Sequence, residues 1–149
     1  MLVTKYQKHI SGPLLDRIDI HIEVPRVDYE KLSNDRLGES SAAIRQRVEA
    51  ARERQRERFA GLDRPGDSKT PSIVCNADMR IGEIRQFCKL DGTSESLMRS
   101  AMSQLNLTAR AYHRILKLAR TIADLAGSDA IQQVHIAEAL QYRPKLMMG

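Results

Sequence analysis

The feature that most constrains this chain is a short stretch of strict alternation near its beginning. From Arg17 to Val24, isoleucine or valine occupies every second position, and a charged residue or histidine stands between. This period of two predicts a β-strand with one buried face. A Ser-Gly-Pro turn signal precedes the strand, and Pro25 ends it because proline cannot continue a central ladder.

The predicted strand has no partner, because no other segment of the sequence has a comparable pattern. A lone strand exposes an unpaired backbone edge, which is an association hazard. We therefore expect the other strands of its sheet to lie before Met1, so that the chain begins inside a domain.

The segment Glu39–Phe59 predicts a long, charged helix with one narrow apolar stripe, and Gly61 is placed to end it. Most of its arginines have a glutamate at helical-neighbour spacing, which favours a solvated face. A basic surface that contacts nucleic acid is the alternative.

Residues 62–72 have the composition of a linker. Gly61 and Gly66 have the spacing of a phosphate-binding loop, but Asp67 stands where lysine is required.

From residue 76 onward the pattern predicts a small helical bundle. Its best-defined helix runs from Ala109 to Leu125, with apolar residues at steps of four and three and Gly127 placed to end it. A closing helix is expected over about Val134–Tyr142. The three helices before the closing one are expected to open at side chains that can cap free amides, namely Asn76, Thr93 and Thr108.

Composition excludes several classes of protein. The net charge of +5 over 149 residues is spread along the chain and forms no polybasic tail, so it decides little about nucleic-acid binding. Cys75 and Cys88 lie 13 residues apart, a spacing that fits no zinc or redox motif. The histidines show no ligand spacing, so no metal site is expected.

No apolar run approaches the roughly 18 residues of a membrane span, and no signal peptide is apparent. We expect a cytoplasmic protein.

Two arginines of the Ala109–Leu125 helix are candidate phosphate ligands. Arg110 falls in the first turn, where free amides and the helix dipole favour an anion, and Arg114 lies one turn further on the same face. The alternative for Arg110 is an ion pair with a carboxylate of a neighbouring helix, such as Glu83 or Glu95.

Arg17, at the start of the predicted strand, is the third candidate. A guanidinium held where loop becomes strand could reach transition-state charge on a phosphoryl group in a neighbouring subunit. The alternative is a local ion pair with Asp16 or Asp19. These two aspartates are not placed to act as an acid and base pair, so a structural role is expected for them.

Three runs resemble one known family. Ser11–Val24 resembles the arginine-finger region of magnesium-chelatase-like AAA+ ATPases, particularly the ComM/YifB competence-protein group. Leu107–Leu125 is similar to the sensor-2 helix of that family, and His135–Arg143 resembles its closing helix. The resemblance implies a mainly α fold: a helical AAA+ lid preceded by one strand of a truncated α/β core. The expected parts are the core remnant over 1–25, the charged helix and linker over 26–75, and the lid over 76–149.

The same resemblance implies functional roles. Arg17 corresponds to the finger that completes the site of the adjacent subunit, Arg110 to the sensor arginine that touches the gamma-phosphate, and Arg114 to a further candidate. The full-length protein is expected to use ATP with Mg²⁺, to form a ring, expected to be hexameric, and to remodel DNA. Its phosphate-binding loop would precede Met1, so the fragment alone is expected to be inactive and to bind ATP weakly.

Other functions remain open from the sequence. A chelatase-type motor would act on a protein partner in metal insertion. A free-standing helical module could bind nucleic acid through the arginines of residues 45–58. A helical interaction module with no ligand is a further possibility.

Overall fold

The computed structural model describes residues 17–26, 38–62 and 73–143. This part of the chain is mainly helical, as the sequence predicts. Its α-helices are α1 (Ser41–Phe59), α2 (Ile81–Phe87), α3 (Gly92–Gln104), α4 (Ala109–Leu125) and α5 (Gln133–Gln141), with a 3₁₀ turn over Asn76–Asp78.

Helix α4 is the centre of the bundle, and α5 packs most extensively against it. Its buried side includes Ile115, Ala119 and Ala123. The alanines leave room for the neighbouring helix, which contributes Ile136 and Ala139. Burial of this apolar surface is the main favourable contribution to folding.

The ends of α4 agree with the sequence prediction. The hydroxyl of Thr108 accepts a hydrogen bond from Ala111 N at 3.2 Å, which satisfies one of the free amides of the first turn. Gly127 has φ +71°, a left-handed conformation that glycine adopts without steric cost. Local chemistry therefore fixes both ends of this helix.

Two predicted helix starts were wrong. The cap of α3 is Asp91, whose carboxylate accepts from Ser94 N at 2.7 Å, so Thr93 lies inside the first turn. Asn76 opens a 3₁₀ turn and is buried, and its side chain contacts Asp124 in α4. A tertiary partner therefore determines the conformation at this position.

A buried charge cluster attaches α1 to α4. Asp124 accepts hydrogen bonds from Arg58 at 2.8 Å, from Arg120 at 3.1 Å and from Asn76 at 2.8 Å. Burial alone would raise the pKa of Asp124, but the hydrogen bonds from Arg58 and Asn76 and the charge of Arg120 outweigh it, so this pKa is lowered. The carboxylate is therefore held in its charged form between two guanidinium groups.

Residues 17–26, which include the predicted strand, have no strand assignment. They lie against the bundle, where His21 N donates to Tyr142 O at 2.9 Å. The alternating side chains are largely exposed, from 40% at Ile18 to 84% at Val24. Pairing of this segment with a sheet stays a prediction, as do the proposed domain boundaries.

Candidate phosphate-binding cleft

A cleft of about 570 Å³ lies where α4, the start of α2 and the segment 17–26 meet. Most of its wall is basic, with an apolar floor. The lining residues are Arg17, Met79, Arg80, Ile81, Ile84, Arg110, His113, Arg114 and Lys117.

Helix α4 supplies one wall through residues at helical spacing. Arg110, His113, Arg114 and Lys117 follow steps of three, one and three, which place them on one side of a helix with 3.6 residues per turn. This basic side lies beside the apolar side that packs into the bundle. The helix therefore presents cations to the cleft from a backbone held rigidly by the core.

The opposite wall comes from the residues that start α2. Arg80 precedes this helix, and its backbone N donates to Glu83 Oε2 at 2.8 Å. Met79 is 2% exposed and fixes the chain at that point. Sequence reasoning missed Arg80, since no periodicity links it to α4. Its spacing from Glu83 marks only a helix start.

The cleft has a strongly positive lining. Among the described residues that line it, five are arginine or lysine and none carries a carboxylate. Lys117 Nζ donates to Ala77 O at 2.7 Å, which fixes the lysine beside the cleft. The first turn of α4 adds the partial positive charge of its amides. An anion with several oxygens is the ligand that such a surface favours.

The structure brings all three candidate arginines of the sequence to this cleft. Within the described ranges, Arg110 makes no ion pair with Glu83 or Glu95, the partners considered from the sequence. The resemblance gave Arg17 and Arg110 separate roles at an ATP site, and in this chain they line one cleft.

Arg114 is engaged with the segment that carries Arg17. Its Nη2 donates to the carbonyl oxygen of Arg17 at 2.6 Å, and its Nε lies 2.7 Å from Asp19 Oδ1. Asp19 is thus an ion-pair partner of a helix residue, which agrees with the structural role expected for it.

The arginines of α1 are largely paired with carboxylates. Arg47 contacts Glu39 at 2.7 and 3.0 Å, Arg56 pairs with Glu53, and Arg54 reaches Asp129 at 2.7 Å; Arg58 belongs to the buried cluster. These contacts engage arginines that a nucleic-acid surface would use, but of the described pairs only Arg56–Glu53 has the helical-neighbour spacing that the sequence suggested.

Other chemistry finds little support in the described residues. They contain no group of three or more His, Cys, Asp or Glu side chains that could hold a metal ion. Burial raises the pKa of the Cys88 thiol to about 11, so it is a poor nucleophile at neutral pH. Among the helices of this part of the chain, none is both long and apolar enough to cross a membrane.

Comparison with known proteins gives two family matches and several relatives. Residues 38–143 match the magnesium chelatase subunit ChlI C-terminal family, and residues 1–32 match the magnesium chelatase subunit ChlI family. The chain is 43% identical over 143 residues to competence protein ComM of Haemophilus influenzae, covering 95% of this chain and 25% of that protein.

Two further relatives are the YifB proteins of Escherichia coli, 42% identical, and Salmonella typhimurium, 37% identical, each over 140 residues. Each of these alignments covers 93% of this chain and 25% of the relative. The chain thus spans about a quarter of the length of the curated relatives it matches. With a family match over most of its length, the chain belongs to the magnesium chelatase ChlI C-terminal family, in the magnesium-chelatase-like ComM/YifB group of AAA+ proteins.

Proposed function

We propose that this chain is the helical lid and arginine-finger part of a ring-forming AAA+ ATPase, and that its basic cleft binds the phosphates of ATP. The observation that carries the proposal is the presence of Arg17 and Arg110 in one cleft, whose described lining is basic. Family membership supports the nucleotide as the source of the phosphates.

The cleft residues fit a triphosphate in their chemistry. Arg110 on α4 and Arg80 at the start of α2 line the same cleft, and planar guanidinium groups suit the oxygens of a phosphate chain. Arg17 also lines the cleft, where it would stabilise the charge that builds up on the transferred phosphoryl group. Phosphoryl transfer needs little covalent participation from protein, so positioned cations can supply much of the rate enhancement.

Mg²⁺ bound with the nucleotide would neutralise part of the phosphate charge. The described residues supply cations to the cleft and no carboxylate set for the metal. We therefore assign Mg²⁺ binding and the phosphate-cradling loop to an AAA+ core outside this chain.

Arg17 and Arg110 are proposed to act on the same nucleotide, because they line one cleft of one chain. If Arg17 completes the site of the adjacent subunit, Arg110 reaches that site as well. The ring is then required for activity, since neither half of the site is complete in one subunit.

DNA is the proposed remodelled partner, supported by the similarity to a competence protein. The paired arginines of α1 argue against a DNA-binding surface on that helix. The alternative to DNA is a protein partner that takes part in metal insertion, which the chelatase name of the family suggests.

The deciding experiment uses a chimera in which this chain replaces the matching quarter of the Haemophilus relative. Arg17→Ala should lower kcat about 10³-fold or more, the effect typical of a lost arginine finger. Arg99→Ala, an exposed position on α3, is the matched control and should leave kcat unchanged. ATPase activity that survives Arg17→Ala would contradict the finger assignment.

The alternative hypothesis, that the chain is a free-standing helical module that binds nucleic acid, makes a different prediction for the 149 residues alone. It requires DNA binding that weakens steeply as salt rises. We expect no such binding even at low salt.

A further inference from the structure

Arg114 holds the segment that carries Arg17, and we propose that this is its function: it is a positioning residue for the finger and not a phosphate ligand. This inference rests on the proposed function, because it presumes that Arg17 acts on a phosphoryl group. It departs from the sequence-based expectation, which placed Arg114 beside Arg110 as a contact to ATP.

The orientation of the guanidinium is the first argument. A guanidinium binds an oxyanion best through two parallel N–H groups, in a rigid planar fork. In Arg114, Nη2 donates to Arg17 O at 2.6 Å and Nε lies 2.7 Å from Asp19 Oδ1. The edge formed by these two nitrogens therefore faces the protein's own acceptors. A phosphate that used this edge would have to displace both of them.

The polar character of the attachment is the second argument. The side chains of Ile18, Ile20 and Ile22 are 40%, 49% and 71% exposed, so apolar burial of the segment is incomplete and polar contacts contribute to its docking. A backbone hydrogen bond from His21 N to Tyr142 O, at 2.9 Å, also joins the segment to the bundle. Docking therefore depends strongly on Arg114.

The surroundings of Asp19 support the same conclusion. Asp19, Arg114 and Arg143 border one small void between the segment, α4 and α5. Arg143 is 7% exposed, so its charge lies in a poorly solvated setting. The carboxylate of Asp19 thus has the guanidinium of Arg114 at 2.7 Å and shares this void with Arg143, and the attraction between opposite charges favours the docked position of the segment.

The consequence is a mechanical link between lid and finger. The two residues anchored by Arg114 include Arg17 itself, through its carbonyl oxygen. A movement of α4 is therefore transmitted to the finger, and loss of Arg114 leaves the Arg17 side chain attached to a segment that can leave the cleft.

Docking can be measured in the chain itself, without nucleotide. Amide hydrogen exchange at His21 reports the contact with Tyr142, and Arg114→Ala should lower its protection about fivefold or more. Asp19→Asn removes the charge from the segment side without altering α4 and should act in the same direction. Arg110→Ala, one turn earlier on the same helix face, is the matched control and should leave this protection unchanged. Unchanged protection in both Arg114→Ala and Asp19→Asn would overturn the proposal.

The kinetic arm uses the chimera with the Haemophilus relative. Arg114→Ala should lower kcat about 10- to 100-fold, the cost of misplacing a catalytic group by about 1 Å. KM for ATP should change less than about threefold, because no ground-state contact to phosphate is lost. Arg110→Ala should show the opposite pattern, with KM raised. A rise in KM for Arg114→Ala similar to that for Arg110→Ala would identify Arg114 as a phosphate ligand and refute positioning.

The two arms separate this inference from the proposed function. If Arg17→Ala leaves kcat intact while Arg114→Ala abolishes protection of His21, the finger assignment fails and the docking contact stands. If Arg17→Ala abolishes activity while Arg114→Ala changes neither protection nor kcat, the finger stands and the positioning role fails.

Discussion

Two groups of arginines lie at opposite ends of α4, and they differ in their counter-charge. At the C-terminal end, Arg58 and Arg120 surround the buried carboxylate of Asp124. At the N-terminal end, the cleft holds Arg80 and Arg110 with no carboxylate in its wall. In the first group the guanidinium groups surround one buried carboxylate, whereas the described lining of the cleft in the second group is basic and includes no carboxylate.

The comparison separates structural cations from binding cations by a physical criterion. A buried charge must be paired to be tolerated, so the Asp124 cluster stabilises the fold only while all its members are present. Arg80 and Arg110 of the cleft are exposed, so their charges cost the fold little. We therefore expect substitutions at the two ends to have opposite consequences for stability and for ligand binding.

The largest expected effect is on stability at the buried end. Asp124→Asn should lower the free energy of unfolding by about 3–5 kcal/mol, because it leaves two guanidinium groups without their buried counter-charge. Urea denaturation followed by circular dichroism measures it. Asp129→Asn is the control, since its side chain is 98% exposed and pairs only with Arg54 among the described residues; there we expect less than about 1 kcal/mol. Equal effects at both positions would remove the distinction between the two ends.

A loss of stability of intermediate size is expected when the pH is lowered. The pKa of Asp124 is lowered in the fold, so its contribution is present above its unfolded pKa of about 4 and is lost as pH falls through the folded value. Hydrogen bonds from Cys75 and the backbone lower the pKa of Asp78, which acts in the same direction. Urea midpoints between pH 7 and pH 3 should fall for the wild type and fall less steeply for Asp124→Asn. Parallel curves would show that Asp124 does not carry this dependence.

The smallest expected stability effect belongs to the cleft. Arg110→Ala should leave the unfolding free energy unchanged or raise it by about 0.3–1 kcal/mol, because a cation in the first turn opposes the helix dipole. The same variant should reduce the rise in melting temperature caused by inorganic tripolyphosphate, which Arg99→Ala should retain. Destabilisation by more than about 1 kcal/mol would place Arg110 among the structural cations.

The sequence predicted those features of the fold that local chemistry determines. The limits of α4, Ala109 and Leu125, follow from a cap, an apolar period and a glycine stop, and the structure has the same limits. The closing helix was predicted over about Val134–Tyr142 and spans Gln133–Gln141, so it begins and ends one residue earlier. The start at Thr93 was wrong because Asp91, two residues earlier, offers a carboxylate to the free amides.

Other features depend on tertiary contacts that no sequence pattern reports. Asn76 is held by Asp124, 48 residues away, so its capping potential was misleading. Arg80 and Arg110 meet only because the bundle folds α2 onto α4. The sequence did suggest all three candidate arginines. It could not show that Arg114 has an ion-pair partner, because that partner, Asp19, lies far away along the chain.

The uneven attachment of α1 has a mechanical consequence. Its second half is fixed to the bundle through Arg58 and the buried Phe59, whereas residues 41–50 are all exposed. Ten helical residues extend about 15 Å, so a rotation of about 10° at the fixed end moves the free end by about 3 Å. The helix can thus act as a lever arm, turning a small adjustment inside the bundle into a displacement at its tip.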